Sequence, residues 1–307
     1  MTRVAAIDCG TNSIRLLIAD VTDSGLRDVS RQMEIVRLGE GVDRTGRISD
    51  AALGRTLDAL RRYEEQIARA NVRGVRMAAT SATRDAQNRE EFVTGVRDIL
   101  GVEPEVITGQ QEAALSFAGA TREVQHLPTP HLVVDIGGGS TEFVLGDERG
   151  VLVTCSVDIG CVRITERHLH DDPPTPQQIS AAEADVAAAV DKAAETVPLD
   201  AAGTLIGVAG TVTTIAAIAA GLPEYDPERI HLSHVSAFDV EDIAHRLLAM
   251  SHAERAALPV MHPGRVDVIG AGSMILRAIV QKAEVAEVVA SEHDILDGLA
   301  YSVAERF

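Results

Sequence analysis

The chain has 307 residues, more than one hydrophobic core usually grows to, so two domains are expected. Its 46% hydrophobic and 24% charged residues are ordinary for a globular protein, and a net charge of −18 argues against non-specific binding to nucleic acid or an acidic membrane. A polyanionic substrate is not excluded, because physiological salt screens surface charge within about 8 Å and the local site decides.

All but Lys192 and Lys282 of the 28 basic residues are Arg, which suits bidentate phosphate contact and is equally what a G+C-rich genome produces. Cys9, Cys155 and Cys161 form no C-x-x-C pair and no disulfide framework, which fits a reducing cytoplasm. The N-terminal apolar run is too short for a signal peptide.

In chain order, Val4 to Ile7 reads as a short strand, Asp8-Cys9-Gly10-Thr11-Asn12-Ser13 as a polar turn, and Ile14 to Asp20 as a second strand. Asp28 to Arg37 adds a strand, and Leu38 to Val42 is a glycine loop. Ser49 suits the N-cap of a helix reaching Asn71, since Leu53, Leu57, Leu60 and Ile67 recur at helical spacing. Val75 to Thr80 is a strand that ends in Thr80-Ser81-Ala82-Thr83-Arg84-Asp85. Hydroxyls and an Arg there suit a phosphate-facing loop and are equally typical of a helix cap. Helices are expected over Asn88 to Leu100 and Gln110 to Ala120, with a short strand at Val106-Ile107 between them. Glu112 falls in the first turn of the latter helix, where a carboxylate commonly complements the helix dipole. His126-Leu127-Pro128-Thr129-Pro130 breaks the pattern and marks the expected boundary between domains 1–125 and 126–307. A last helix packed back on the first domain is compatible with that division.

Leu132 to Gly146 reads as strand, Asp135, three glycines, Ser-Thr-Glu and a second strand. Gly137, Gly138 and Gly139 allow positive φ and let N–H groups approach an anion closely. Asp135 and Glu142 beside such a turn make electrostatic sense if they bind a metal ion or handle a water. A glycine-rich β-turn with surface carboxylates is the alternative for this stretch alone. Setting Asp8 against Asp135, however, brings Gly10 onto Gly137, Ser13 onto Ser140 and Asp20 onto Asp147 at a constant offset of 127 residues. Such a repeat points to two similar domains, each presenting one hairpin to a shared cleft.

Beyond it, Val151 to Val157 continues the sheet and Gly160-Cys161-Val162-Arg163 turns into a helix. A second helix runs from Thr175 or Pro176 to about Val197. Leu205 to Ala209 is a strand ending in Gly207-Val208-Ala209-Gly210-Thr211, where a helix begins at once and offers a third anion-binding turn. Val235 to Met250 and Ser251 to Leu258 read as helical, His262 to Arg265 as a loop leading to a helix through Ala283, Val285 to Ala290 as a strand and Asp294 to Glu305 as a closing helix.

Other phosphate machinery fails on inspection. A P-loop needs a Gly-Lys pair, and neither lysine follows a glycine. Gly270-Ala271-Gly272 lacks the third glycine of a dinucleotide fingerprint and a strand before it. His168-Leu169-His170 cannot place both rings on one helix face, and no His/Cys cluster has zinc spacing. The uncharged run Ala201 to Leu222 holds glycines and threonines and has no basic flank, so it reads as a buried strand, turn and helix rather than a membrane span.

Taken together, D-C-G-T-N-S, A-T-S-A-T-R, I-T-G-Q-Q-E-A, V-V-D-I-G-G-G-S-T-E and G-V-A-G-T-V resemble, in order, the motifs of the exopolyphosphatase/guanosine pentaphosphate phosphatase family. That family belongs to the actin-like, sugar-kinase and Hsp70 ATPase superfamily. The resemblance implies an α/β protein of two duplicated actin-like (ribonuclease H-like) domains, with mixed central sheets flanked by helices and an interdomain cleft. It implies an enzyme that hydrolyses terminal phosphate from inorganic polyphosphate with Mg²⁺; guanosine pentaphosphate is the alternative substrate, and a catalytically weak polyphosphate or alarmone sensor is a further reading. A sugar- or acetate-kinase-type transferase shares the fold. A cytoplasmic homodimer that binds neither nucleic acid nor membrane completes the picture.

The roles implied are residue by residue. Asp8 and Asp135 would help hold Mg²⁺ and its waters, Glu112 would be the base for the attacking water, and Glu142 would hold the metal or share that water. Arg84 would grip the phosphate chain, while Asn12, Ser13, Gly137, Gly138, Gly139 and Ser140 cradle phosphates, with Gly210 and Thr211 at the third turn. Two departures stand out: Gln111 replaces the first Glu of the family's Glu-Glu pair, and Ser291 to Gly298 reads S-E-H-D-I-L-D-G where relatives carry S-D-G-x-L-R-E-G. Longer relatives also continue into helical domains past the point where this chain stops.

Overall fold

The computed structural model describes residues 1–22 and 25–307. It divides into two compact units, Met1–Gly119 with Ile295–Phe307, and Ala120–Asp294.

The first unit is built on a sheet of β1 (Thr2–Cys9), β2 (Ser13–Thr22), β3 (Gly25–Ile35), β4 (Gly74–Ala79) and β5 (Glu105–Val106), in the order β3-β2-β1-β4-β5. β1 runs antiparallel to β2 and parallel to β4. Strand residues alternate between faces, and both faces of β1 are covered, which explains its unbroken apolar run. Ala5, Ile7 and Cys9 join one core with Leu60, Tyr63 and Phe92, while Val4 and Ala6 join the other with Leu299, Ala300 and Val303. The helix Asp50–Ala70 starts where Ser49 Oγ accepts from the Ala52 N–H, and it ends at Asn71 in the left-handed region. Its Leu53 and Leu57 are half-buried against the first core, beside the fully buried Leu60. The closing helix Ile295–Ala304 lies in this unit; a Cβ at Gly298 would sit 2.1 Å from Leu115 O, so only glycine allows that approach.

The second unit carries β6 (His131–Ile136), β7 (Thr141–Asp147), β8 (Gly150–Val157), β9 (Thr204–Val208), β10 (His234–Ser236) and β11 (Glu287–Ala290), in the order β10-β11-β9-β6-β7-β8. Its hairpin β6–β7 is antiparallel and β6 is parallel to β9, repeating the pattern of the first unit. The repeat extends to the hairpin tip, where Gly10 N–H donates to Ser13 O at 2.9 Å and Gly137 N–H to Ser140 O at 3.0 Å.

Three expectations change. Val235 and Ser236 are strand rather than helix, because Val235 is buried in a β10–β11 pairing and Ser236 caps the helix Ala237–Ala249 by accepting from Asp239 N–H. The glycine loop at 38–42 leads into a short helix, Val42–Thr45, between Gly41 and Gly46, both at positive φ. The helix expected from Arg265 begins at Ile269, after a 3-10 turn over Pro263–Arg265. The uncharged run 201–222 folds as β9 and the helix Ala209–Ala219, and no described helix is long and apolar enough to cross a membrane.

Candidate active site

In the first unit, Asp8 stands near the end of β1, 5% exposed, directly opposite Arg15 on β2. Arg15 Nη2 and Nε donate to Asp8 Oδ2 at 2.7 and 3.0 Å, so a guanidinium already faces this carboxylate. The turn between them is tied to the body: Asn12 O accepts from Val36 and Arg37 N–H, and Thr11 O from Gly39 N–H. Ser13, the first residue of β2, closes the turn through its carbonyl. β4 lies beside β1, Cys9 against Ala79, so the segment leaving β4 begins next to the Gly10 turn. That segment is the helix Ser81–Asp85, joined to the hairpin by Thr11 Oγ1 and Ser81 Oγ at 2.8 Å. The Thr80 side chain makes no cap hydrogen bond.

Arg84 and Glu112, 28 residues apart in sequence, meet here. Arg84 Nη1 donates to Ile107 O at 2.8 Å and lies 3.3 Å from Glu112 Oε2. Glu112 is 8% exposed, in the first turn of the helix Gly109–Ala120. Its neighbour Gln111 is exposed and occupied otherwise: its Oε1 accepts from Thr108 N–H at 2.9 Å, and Thr108 Oγ1 accepts from Gln111 N–H at 3.2 Å. That is a capping box, a task that Glu or Gln performs equally.

In the second unit, Asp135 and Glu142 are 7% and 1% exposed and directly opposite one another in the β6–β7 ladder. Position 142 is the repeat-mate of Arg15, so the first hairpin pairs a carboxylate with a guanidinium and the second pairs two carboxylates. Like charges placed this way repel, and an all-oxygen donor pair suits Mg²⁺. Ser156 on β8 donates to Glu142 Oε1 at 2.8 Å. Buried Ser140 lies at the tip.

The glycine turn serves a purpose other than positive φ at its first position. Gly137 is not left-handed; a Cβ there would meet Ser140 O at 3.1 Å. The turn's carbonyls are bound by the next helix, Cys161–His168, through Cys161 N–H to Gly137 O (2.9 Å), Val162 N–H to Gly138 O (2.9 Å) and Arg163 N–H to Gly138 O (3.0 Å). Arg163 Nε adds a bond to Gly139 O at 2.7 Å. Cys161 is no nucleophile, since burial pushes its thiol up to about 11.

β9 lies beside β6, Asp135 against Val208, which starts the third turn next to the hairpin tip. Ala209 is left-handed, φ 66, a strained position for a residue with a Cβ. At Gly210 a Cβ would fall 2.5 Å from the Arg265 guanidinium, which also donates to Thr214 Oγ1 at 3.0 Å. Thr211 is buried against Gly272. Arg163 and Arg265 were not singled out in the sequence: Arg163 only opens a helix there and Arg265 only sits in a loop, and neither has a local pattern naming its partner.

A histidine cluster invisible in the sequence also forms. His231 Nε2 is 2.8 Å from Glu123 Oε2, His293 Nδ1 is 3.8 Å from Glu123 Oε1, and the two rings are 4.3 Å apart. The hydrogen bond from His231, first, holds the Glu123 carboxyl below its ordinary range. His231 Nδ1 accepts from Glu292 N–H, which leaves the ring proton on Nε2, donated to Glu123.

The chain matches the model of the Ppx/GppA phosphatase family over residues 17–307. It is 50% identical to exopolyphosphatase 2 of Mycobacterium tuberculosis, with 99% of each chain covered. It is 29% identical to the guanosine-5'-triphosphate,3'-diphosphate pyrophosphatase of Aeromonas salmonicida, over 97% of this chain and 59% of that protein. The structure of the PPX-GPPA enzyme of Aquifex aeolicus matches it with a TM-score of 0.82 at 31% identity, covering 98% of this chain and 99% of the other. The two mixed sheets flanked by helices are accordingly the actin-like α/β fold. With five motifs in order, a duplicated hairpin and similarity along nearly the whole length, the chain belongs to the Ppx/GppA phosphatase family.

Proposed function

We propose that the protein is an exopolyphosphatase, hydrolysing the terminal phosphoanhydride of inorganic polyphosphate and releasing orthophosphate. The observation that carries this is the Arg84–Glu112 pair, a guanidinium for phosphate oxygens beside a shielded carboxylate that can take a proton. Similarity to the mycobacterial exopolyphosphatase supports the substrate class.

Water attacks the terminal phosphorus and passes a proton to Glu112, while the bond from phosphorus to the bridging oxygen breaks and its electron pair stays on the shortened chain. Main-chain N–H groups at Asn12, Ser13, Gly138, Gly139, Ser140, Gly210 and Thr211, with Arg84, position the phosphates and face the charge that develops. Asp8, Asp135 and Glu142 are the residues that would hold Mg²⁺ and its waters; the ion would supply positive charge to the phosphate. A cytoplasmic setting fits the three free thiols, and a homodimer belongs to the same reading, to be checked by analytical ultracentrifugation.

The test is phosphate release from short polyphosphate, long polyphosphate and guanosine pentaphosphate, with and without Mg²⁺. Glu112→Ala should lower kcat by about 10²-fold or more; near-wild-type turnover would remove Glu112 from its role. Arg84→Ala should chiefly raise KM. Guanosine pentaphosphate is the second substrate reading, favoured by the 29% identity to the Aeromonas enzyme, and preferential release from that nucleotide would put it first. The capping role of Gln111 favours a hydrolase over a binding-only sensor, since the departure from Glu leaves that turn's structural bond intact.

A further inference from the structure

We infer that Ser156 is a positioning residue for the metal-holding carboxylate, an outer partner of Glu142 that fixes the orientation of its carboxylate. The inference rests on the Mg²⁺ reading above and adds a residue to it. Asp135, Glu142 and Ser156 form one row across β6, β7 and β8, being paired in successive ladders, so their side chains stand on the same face of the sheet. Ser156 has one hydroxyl proton, and its 2.8 Å bond commits that proton to Glu142 Oε1. A hydroxyl bound to an ionised carboxylate makes a charge-assisted hydrogen bond, stronger than a neutral one.

The duplicated row in the first unit is an internal control. It reads Asp8, Arg15, Met33 across β1, β2 and β3. There the second position is a guanidinium that binds Asp8 directly, and the third is a thioether with no proton to give. The hydroxyl therefore occurs in the row that holds two carboxylates, where a Glu with three rotatable bonds has to present one oxygen to a cation. Outer partners of this kind are worth about 10–100-fold in metal affinity.

The experiment measures Mn²⁺ binding by calorimetry on the full chain without substrate, alongside kcat and KM at varied Mg²⁺. Ser156→Ala and Ser156→Val should weaken Mn²⁺ binding by about 10-fold or more. Ser156→Thr, matched to valine in shape but keeping the hydroxyl, should bind nearly as wild type, and melting curves check that all three fold. Raising Mg²⁺ should recover kcat in Ser156→Ala, which a merely structural defect would not allow. Unchanged Mn²⁺ binding in Ser156→Ala, or equal loss in the threonine and valine variants, overturns the role of Ser156 while Asp135→Asn and Glu142→Gln still report on the metal site. A wild-type protein that binds no Mn²⁺, or an Asp135→Asn variant that binds as wild type does, overturns the metal reading itself and Ser156's role with it.

Discussion

Gly160→Ala tests how the glycine turn of the second hairpin is held. Gly160 precedes the helix Cys161–His168 with extended backbone, φ −158, so alanine meets no backbone objection and the cost is contact alone. A Cβ would lie 2.4 Å from Gly138 C, 2.4 Å from Gly138 O and 2.5 Å from Gly139 N. Unstrained heavy-atom contacts lie near 3.5–4.0 Å, so helix and turn must separate by about 1 Å. The obstructing atoms are backbone and cannot swing away. A 1 Å separation takes the bonds from Cys161, Val162 and Arg163 N–H, now 2.9–3.0 Å, out of hydrogen-bonding range. At about 1 kcal/mol each, with about 1–3 kcal/mol for overpacking, the loss is about 4–6 kcal/mol. Urea denaturation should show the transition of the second unit falling by about 1 M or more in midpoint, at an ordinary slope of about 1–3 kcal/mol per M. Phosphate release under folding conditions should fall further than stability requires, because the turn that would cradle phosphate has changed shape. An alanine variant within about 0.5 kcal/mol of wild type and active would refute the reasoning that helix and turn are locked together.

Two further outcomes follow from local geometry. Gln111→Glu should leave melting temperature and turnover close to wild type, because Glu accepts the Thr108 N–H as Gln does; a large gain in kcat would instead give position 111 a chemical role. Asp20 receives bonds from Arg3 and Arg27, which hold its carboxyl at about 2. Its pKa is thus lower folded than unfolded, so its stabilisation is full above about pH 4 and is lost as pH falls through about 2. Asp20→Asn should therefore be less stable than wild type at neutral pH, with the gap narrowing in acid; a gap independent of pH would exclude this ionisation as its source.

Much of the fold was legible in the sequence because its informative units are local. A β-hairpin places its turn glycines, flanking carboxylates and alternating apolar residues within one short stretch, so an offset of 127 residues exposes the duplication without any long-range contact. The helix Asp50–Ala70 was readable from Ser49 and its apolar spacing for the same reason. Val235-Ser236 misled because a short apolar run fits strand and helix alike, and only pairing with β11 decides.

The candidate site is written in local residue types, and its side-chain pairings are not. Motif residues such as Asp135, Glu142, Arg84 and Glu112 lie inside recognisable local patterns. Their partners do not: Arg84 reaches Glu112 across 28 residues, Arg265 covers Gly210, and Glu123 meets His231 across 108. The sequence alone therefore determined the two duplicated hairpins, the family and the candidate chemistry, since each is written in contiguous residues whose geometry the backbone imposes. Only the tertiary structure decided that Asp8 faces a guanidinium while Asp135 faces a second carboxylate held by a serine, because side-chain pairing across strands and loops depends on packing that no local spacing encodes.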